Sequence, residues 1–337
     1  MTTEVATSSR TPEHGLARAE RVQPLRFLRY YGYGSTDIKE ISRLGGGIEN
    51  VVYRISTTSR DVVLRIFPHR SHEEIAFECD ILRSLAGGGA IRTPVLIPTN
   101  SGLLFAEEAG FPSTLYTFLP GRRAYDLDAC LVDDVCGFVR WFHRTTEGGN
   151  WNRDVKGFRL HRIGAMLEKL LASGAFDEHA PWYSHLLLEL ERFPLYAHAF
   201  GRYPERLIHC DLVRNNLLLG KTGRLTAVLD FDDAYVDCAL LEYAGIARGS
   251  CFSADFELKQ DLVECVRENA EKALGRVGVG DLLLALRYVC LRFYVYTYYW
   301  SRIRNPYLDD RLCRQDLLRW RALLATGSLS SHGGVIE

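Results

Sequence analysis

Two short polar segments, each enclosed by apolar residues, constrain the fold of this chain most strongly. The first is RLIHCDLVRNNLLL, residues 206–219, and the second is AVLDFDDA, residues 227–234. Apolar runs on both sides predict short buried strands, and the polar residues between them predict loops held by rigid elements. Gly223 lies between the two segments and predicts the turn of a β-hairpin, which would bring them close together.

The residue types in this hairpin suit metal-assisted phosphoryl transfer. Asn216 and Asp230 offer an amide oxygen and a carboxylate, hard ligands of the kind that Mg²⁺ prefers, and Asp211 is left to orient a hydroxyl and accept its proton. His209, Asp211 and Asn216 have the spacing of the protein-kinase catalytic loop. Asp230 and Phe231 stand where the metal-binding Asp-Phe-Gly begins. A lone Asp or Asn is explained by turn chemistry, but this joint pattern predicts a kinase.

The same segments resemble a known family. IHCDLVRNNLLL and VLDFDDA are similar to motifs of the aminoglycoside phosphotransferase and choline kinase-like small-molecule kinases, in particular the branch that includes type II homoserine kinases. Cys210 stands where the family usually has glycine, and it keeps the position small. The resemblance implies an α+β, protein kinase-like, two-lobed fold. A small β-rich, nucleotide-binding N-lobe is expected at 26–118 and a large, mostly helical C-lobe at 119–337.

The resemblance also implies supporting roles around the catalytic aspartate. His209 is expected to brace the loop by hydrogen bonding. Asp232, which replaces the glycine of the protein-kinase motif, is expected to support the metal-binding loop. Asp237 is a candidate anchor of the active loop, close to the segment YAGIARGS that starts the family's structural helix.

A kinase needs a cradle for the nucleotide phosphates, and residues 43–55 provide a candidate. This segment, RLGGGIENVVYRI, places Gly45, Gly46 and Gly47 ahead of a β-rich run. Backbone N–H groups approach phosphates closely only where side chains are absent. We therefore expect these glycines to cover the phosphates of ATP.

The next predicted strand, DVVLRIF, carries Arg65 among apolar neighbours, and a buried cation needs a partner. Glu78 is the best candidate, because it lies within a segment whose apolar residues have helical spacing. Glu73 and Glu74 fall in the first turn, where acids suit the helix dipole. The resemblance implies that Arg65 contacts the α- and β-phosphates and pairs with a helix glutamate. A guanidinium would make that pair bidentate.

Two further segments are candidates for ligand contacts. GFPSTLYTFLPG, residues 110–121, corresponds by resemblance to the hinge between lobes, where the backbone of Tyr116, Thr117 and Phe118 would bind the adenine edge. LRFYVYTYYWSRI, residues 291–303, is the most aromatic stretch of the chain. Core packing and an acceptor pocket both explain it, and the sequence leaves the two open.

Helical spacing of apolar residues covers much of the rest of the chain. Helices are predicted at 127–143, 161–175, 182–192, 255–274, 281–303 and 309–326. Two glycine runs, at 86–90 and 275–280, follow predicted helices instead of strands. They therefore predict helix ends and connectors, not phosphate loops.

Composition sets outer limits on function and location. With 41 basic and 42 acidic residues the net charge is −1, so nucleic-acid binding has no support. Nine cysteines without a Cys-x-x-Cys pair predict free thiols in a reducing cytoplasm. No run reaches the roughly 18 apolar residues of a membrane span, and no signal peptide is recognisable. Residues 1–25 are expected to form a disordered tail, because their start is poor in hydrophobes.

The sequence therefore predicts a cytoplasmic phosphotransferase that uses ATP and Mg²⁺ and acts on a hydroxyl of a small molecule. By family analogy an antibiotic or other natural product is the favoured acceptor. Homoserine, another amino alcohol, or a serine or threonine of a peptide are alternatives. A nucleotide-binding pseudokinase and a metal-dependent hydrolase are alternatives of another class. The oligomeric state is left open.

Overall fold

The chain folds into an N-terminal region built on a β-sheet and a C-terminal region built mainly of helices, which confirms the predicted α+β class. The computed structural model describes residues 12–45, 50–151, 159–304 and 310–325. Its elements, in chain order, are α1 (Pro12–Glu20), α2 (Pro24–Leu28), β1 (Ile38–Arg43), β2 (Val51–Thr57), β3 (Asp61–Ile66), α3 (His72–Leu85), β4 (Ala106–Glu108), β5 (Phe111–Thr117), β6 (Arg122–Arg123), α4 (Ala129–Thr146), α5 (Leu160–Ala172), α6 (Tyr183–Phe200), β7 (Glu205–Ile208), β8 (Leu217–Leu219), β9 (Leu225–Val228), β10 (Tyr235–Cys238), α7 (Leu240–Ser250), α8 (Gln260–Leu274), α9 (Val279–Tyr299) and α10 (Asp310–Ala325). The division at 118/119 stays a prediction.

An antiparallel five-stranded sheet, in the order β1-β2-β3-β5-β4, forms the N-terminal region. Side chains alternate between its two faces, so Val62 and Leu64 of β3 lie in the apolar core on one side. Arg65 pairs in register with Val52 of β2 and Thr114 of β5. It therefore leaves the opposite face of the sheet, toward α3.

The structure differs from the disordered tail predicted over residues 1–25. Helices α1 and α2 cover most of residues 12–28, and Ala19 and Phe27 are fully buried against the sheet. Burial against a surface that forms only in the folded chain stabilises this segment, and its own polar composition gives no signal of that. Residues 1–11 lie outside the described residues.

Helix α3 begins at a capping box, and this determines which glutamate faces inward. The Ser71 hydroxyl accepts the N–H of Glu74, and the Glu74 carboxylate accepts the N–H of Ser71 at 3.0 Å. Glu74 is thereby occupied in the first turn. One turn later, Glu78 lies on the buried face beside Ile75 and Leu82. The sequence prediction for these glutamates is confirmed.

The two polar segments of the sequence meet through a hairpin. Strands β8 and β9 pair antiparallel, and Gly223 takes a left-handed φ of +81° in the turn between them, as predicted. A second antiparallel pair, β7 with β10, flanks the hairpin. Helices α4, α7, α8 and α9 pack around these strands and contribute most of the large apolar core of the C-terminal region.

One helix is longer than the sequence predicts. Helix α6 was expected over 182–192 but continues through Pro194 to Phe200. Its last two turns bury Tyr196 and Phe200 against Tyr288 of α9. This packing stabilises the last two turns of α6, although Pro194 has no N–H and so removes one backbone hydrogen bond.

The lengths of the described helices and the state of the cysteines bear on two further expectations from the sequence. Within the described residues no helix is long and apolar enough to cross a membrane. The structure describes the side chains of eight cysteines, and each of these is a free thiol, as the sequence predicts.

A buried ion pair joins α6 to α9. Glu189 is fully buried and accepts hydrogen bonds from the guanidinium of Arg287, whose Nε lies 2.7 Å from its Oε1, and from the hydroxyl of Tyr196. Arg192 contacts the same carboxylate at 3.4 Å from a partly exposed position. The pair therefore depends mainly on Arg287.

We expect Arg287→Met to lower the free energy of unfolding by about 3–5 kcal/mol, because it leaves a buried carboxylate without its main cation. Urea denaturation measures this loss. Arg192→Met is the matched control and should cost less than about 1 kcal/mol, since Arg192 is more exposed. Equal losses of unfolding free energy in the two variants would show that the buried Glu189–Arg287 pair stabilises the fold no more than the Arg192 contact does.

Candidate active site

A cleft of about 600 Å³ opens between the sheet of the N-terminal region and the β8–β9 hairpin. Sequence-predicted site residues that line it are Gly45, Arg65, Glu78, Tyr116, Thr117, Phe118, Asp211, Asn216, Asp230 and Asp232. His209 and Asp237 do not line it. Gly46 and Gly47 lie outside the described residues. The fold thus brings together segments that are more than a hundred residues apart.

Arg65 is the centre of the charge network in this cleft. Its Nη1 donates to Oε1 of Glu78 at 3.2 Å, and its Nη2 donates to Oδ1 of Asp230 at 2.9 Å. Nη2 also contacts the carboxylate of Asp232. The expectation of a bidentate Arg65–Glu78 pair is therefore wrong. The guanidinium divides its donors between Glu78 on α3 and the two aspartates of the loop after β9.

Asp232 is held by two residues that sequence reasoning missed. Arg70 donates from Nη1 to the carbonyl oxygen of Asp232 at 2.8 Å, and its Nη2 lies 2.7 Å from the carboxylate. Asn50 donates from Nδ2 to the same carboxylate at 3.2 Å. Arg70 follows β3 in a polar turn, and in the sequence it resembles a surface residue. These contacts agree with a supporting role of Asp232, which stays a prediction.

The catalytic-loop carboxylate of Asp211 has a separate partner for each oxygen. Nδ2 of Asn216 donates to its Oδ2 at 2.9 Å and to its backbone carbonyl at 3.0 Å. Nη1 of Arg248, on α7, donates to its Oδ1 at 3.4 Å. Because the amide nitrogen of Asn216 faces Asp211, the amide oxygen is left for another ligand.

His209 has the geometry of a brace. Its Nε2–H donates to the carbonyl oxygen of Leu229 at 3.0 Å, and its Nδ1 accepts the N–H of Asp211 at 3.4 Å. The ring packs on Phe231 with centroids 4.6 Å apart. Complete burial lowers the pKa of His209, so the imidazole is neutral at neutral pH. It therefore connects the predicted catalytic loop with the start of the predicted metal-binding segment.

Glu242 makes the contact that the sequence prediction assigned to Asp237. The carboxylate of Glu242, at the start of α7, accepts the backbone N–H groups of His209 and, at 3.1 Å, of Cys210. The carboxylate of Asp237 instead accepts the N–H of Cys238 at 2.8 Å in β10. A single acid in the apolar run ALLEYAGIA was the available signal, because a buried carboxylate needs donors.

Cys210 is a larger departure from glycine than its size suggests. Its φ is +75°, in the left-handed region, where a β-carbon costs roughly 1–2 kcal/mol. Its Sγ accepts a hydrogen bond from Nη2 of Arg292 at 3.0 Å, and Arg292 also contacts the hydroxyl of Tyr235. The strained loop therefore rests on a fully buried guanidinium from α9.

Comparison with known proteins decides the family. A model of the phosphotransferase enzyme family matches residues 40–264, which contain the cleft and both polar segments. The chain belongs to this family. It is a kinase that transfers a phosphoryl group to an alcohol.

Relatives of this phosphotransferase cover most of its length. Homoserine kinase of Gluconobacter oxydans (strain 621H) is 25% identical over 310 residues, 91% of this chain and 95% of the relative. Homoserine kinase of Burkholderia multivorans (strain ATCC 17616 / 249) is 33% identical over 246 residues, covering 67% and 68% of the two chains.

Solved structures share the fold. A thermostable mutant of aminoglycoside phosphotransferase APH(4)-Ia, in a ternary complex with ADP and hygromycin B, has a TM-score of 0.60 at 17% identity, with 89% of this chain and 97% of that chain covered. The microcompartment-associated aminopropanol kinase has a TM-score of 0.59 at 16% identity, with 90% and 96% covered. The predicted protein kinase-like fold is confirmed.

The donor set and charge of the cleft fit a divalent cation. Four carboxylates, of Glu78, Asp230, Asp232 and Asp233, face two guanidiniums, of Arg65 and Arg70. Burial and the neighbouring Asp232 raise the pKa of Asp230 well above its ordinary value, although Arg65 opposes this. A cation would offset the excess negative charge. Among the described residues no group of three or more His, Cys, Asp or Glu forms a metal site, so any ion here must complete its shell with other oxygens.

The predicted hinge lies on the cleft, but part of its backbone is occupied. The N–H of Thr117 donates to the carbonyl of Val95 at 2.9 Å, and the N–H of Phe118 donates to the carbonyl of Asp61 at 3.2 Å. In this conformation these two N–H groups do not face the cleft. An adenine contact from Tyr116, Thr117 or Phe118 therefore stays a prediction that depends on their other backbone groups.

The aromatic segment 291–303 packs in the core over its described part. Tyr294 and Tyr298 contact Phe176, and Tyr294 also meets Trp182 edge-on. The hydroxyl of Tyr298 donates to the carbonyl of Ala175 at 2.7 Å. The lining of the 600 Å³ cleft contains none of these residues. Core packing therefore accounts for Tyr294 and Tyr298, and an acceptor pocket lined by the partly exposed Tyr299 or Trp300 is left open.

The Glu242 carboxyl predicts a pH dependence of stability. Burial raises its pKa from 4.5 to about 7, so between these values the folded chain holds a proton that the unfolded chain releases. The contribution of the Glu242 carboxyl to the free energy of unfolding is fully present below pH 4.5. It falls by roughly 3 kcal/mol as the pH rises to about 7. The difference in unfolding free energy between the wild type and Glu242→Gln, measured with urea, should change by this amount. A difference that is constant with pH contradicts the argument.

Proposed function

We propose that this chain transfers the γ-phosphoryl group of ATP, with Mg²⁺, to the hydroxyl of a hydroxy amino acid or amino alcohol of the homoserine type. The supporting observation is the single cleft that combines the Arg65 network with the Asp211–Asn216 pair. The Arg65 network suits the nucleotide phosphates, and the Asp211–Asn216 pair suits the acceptor hydroxyl. A division into an N-lobe at 26–118 and a C-lobe at 119–337, and a location in the cytoplasm, form part of the proposal.

The nucleotide would be held mainly by backbone and by Arg65. Gly45 lines the cleft ahead of β2, where a missing side chain lets the main chain approach phosphates. Arg65 would contact the α- and β-phosphates while Glu78 keeps one of its donors in place. Because Arg65 now also contacts Asp230, phosphate binding would exchange one anionic partner for another.

Asn216 and Asp230 would hold the metal, with phosphate and water oxygens completing its shell. Bound there, Mg²⁺ would neutralise the charge that develops on the transferred group. The backbone supports this pairing, because the N–H of Leu229 donates to the carbonyl of Asn216 at 2.8 Å and places the next residue beside the catalytic loop.

Asp211 would act on the acceptor. It orients the hydroxyl, whose oxygen forms the new bond to the γ-phosphorus while the bond from that phosphorus to the bridging oxygen of ADP breaks. The hydroxyl proton passes to the Asp211 carboxylate, and the electron pair of the broken bond leaves with ADP. Positioning and charge neutralisation supply most of the rate.

The acceptor class is argued from the relatives. One homoserine kinase matches this chain over 91% of its length and another over 67%, which supports a small hydroxy amino acid or amino alcohol. An antibiotic or other natural-product hydroxyl, the acceptor favoured by the sequence, is the second candidate. It is supported by the fold shared with phosphotransferases solved with hygromycin B and spectinomycin.

Asp211→Asn should lower kcat by about 10²- to 10⁴-fold with the KM for ATP little changed, because the variant keeps the shape of the loop and loses the proton acceptor. Mass spectrometry of reactions with Mg·ATP and a panel of homoserine, amino alcohols, aminoglycosides, nucleosides and hydroxyl-bearing peptides identifies the product. Asp80→Asn, a surface carboxylate on α3, is the control and should leave the rate unchanged.

The panel also separates the alternatives. A phosphorylated homoserine or amino alcohol supports the first acceptor class, and a phosphorylated antibiotic supports the second. ATP binding without any modified acceptor favours a pseudokinase. Phosphate release to water at a rate that acceptors do not change favours a hydrolase.

Arg65→Lys should raise the KM for ATP at least about tenfold, because one ammonium cannot replace a guanidinium that divides its donors between two sides of the cleft. Steady-state kinetics with varied Mg·ATP measure the effect. Arg83→Lys on α3 is the control, since Arg83 is exposed and pairs with Asp80 at the surface. An unchanged KM in Arg65→Lys would remove Arg65 from the nucleotide site.

A further inference from the structure

Arg248 is a buried cation beside the catalytic carboxylate, and neither the motifs nor the family match assigns it a role. It lies on α7, its side chain is 12% exposed, and its Nη1 is 3.4 Å from Oδ1 of Asp211. Asn216 donates to the other oxygen, Oδ2, at 2.9 Å. Two donors on two oxygens oppose rotation of the carboxylate about its side-chain bond.

Contacts with Asp316 and Phe293 fix the orientation of the Arg248 guanidinium. Its Nε and Nη2 donate to the two oxygens of Asp316, on α10, at 2.8 and 3.1 Å. The guanidinium carbon lies 3.6 Å from the ring centroid of Phe293. Because this bidentate pair and the ring contact hold the plane of the guanidinium, the remaining Nη1 points toward Asp211.

Helix α7 approaches the loop around Asp211 closely at two of its glycines. A β-carbon on Gly245 would lie 3.4 Å from the carbonyl oxygen of Cys210, and one on Gly249 would lie 3.3 Å from the Val213 side chain. The helix therefore packs directly on the backbone of the catalytic loop. Arg248, between these glycines, faces the same loop.

We infer that Arg248 is a positioning residue for Asp211, and that Asp316 of α10 fixes Arg248 for this task. The inference rests on the proposed role of Asp211 as proton acceptor. In this arrangement Arg248 holds the carboxylate in the orientation that meets the acceptor hydroxyl. The C-terminal helix α10 thereby becomes part of the support of the active site, although it lies about a hundred residues beyond the catalytic loop.

The test compares Arg248→Met, Asp316→Asn and their double variant in the full-length chain, with the acceptor that the panel identifies. Rates are taken per folded protein, with the folded fraction of each variant determined by urea denaturation. Arg319→Met is the matched control, because Arg319 contacts Asp316 at 2.9 Å from the same helix but does not bridge to Asp211.

We expect Arg248→Met to lower kcat about 100-fold and Asp316→Asn about 10-fold, with the KM for ATP within about twofold of the wild type. Arg319→Met should stay within about twofold in both parameters. Because Asp316 acts through Arg248, adding Asp316→Asn to Arg248→Met should lower kcat no further. Arg248→Lys, which keeps the charge and loses the fork, should fall between the wild type and Arg248→Met.

Three results would overturn the inference. Wild-type kcat per folded Arg248→Met protein would make Arg248 a purely structural residue. Additive effects of the two substitutions would separate Asp316 from Arg248. An active Asp211→Asn variant, or a wild type that modifies no acceptor, would contradict the proposed function itself and with it the role of Arg248.

Discussion

A single buried guanidinium, that of Arg65, connects the two regions from which the active site is built. It extends from β3 in the N-terminal sheet, contacts Glu78 on α3, and reaches Asp230 and Asp232 on the loop after β9. Removing it would break the buried ion pair with Glu78, and breaking a buried pair costs several kcal/mol. The geometry of the cleft therefore depends on this residue more than on any single apolar contact.

The charge balance around Arg65 supports the proposal that the site binds both a nucleotide and a metal. Two guanidiniums do not fully compensate four carboxylates, and the raised pKa of Asp230 reflects desolvation together with that excess. A divalent cation lowers the excess, and the phosphates it brings provide new partners for Arg65. The same groups that stabilise the free protein can thus exchange partners when substrate binds.

Charged residues of helices α7 and α9 contact the predicted catalytic loop and stabilise it. Glu242 holds its backbone N–H groups, Arg292 contacts the strained Cys210, and Arg248 meets the carboxylate of Asp211. Each of these residues is buried or nearly so, and each is expensive to leave unpaired. A loop held by several such contacts keeps its geometry while a substrate enters and a product leaves.

The resemblance to a known family implied the α+β class, and the need of a buried cation for a partner predicted the pairing of Arg65 with Glu78. The sequence by itself determined the hairpin of β8 and β9 and the place of Glu73 and Glu74 in the first turn of α3. Local spacing, apolar periodicity and turn residues carry these features, because they are decided within a few turns of chain. Only the tertiary structure decided that Arg70, Glu242 and Arg248 serve the site. In the sequence they are indistinguishable from surface charges or from an odd acid in an apolar helix, since their partners lie 32 to 162 residues away. The left-handed backbone at Cys210 is also a tertiary result: the packing of α7 and α9 beneath the loop selects a conformation that the local sequence disfavours.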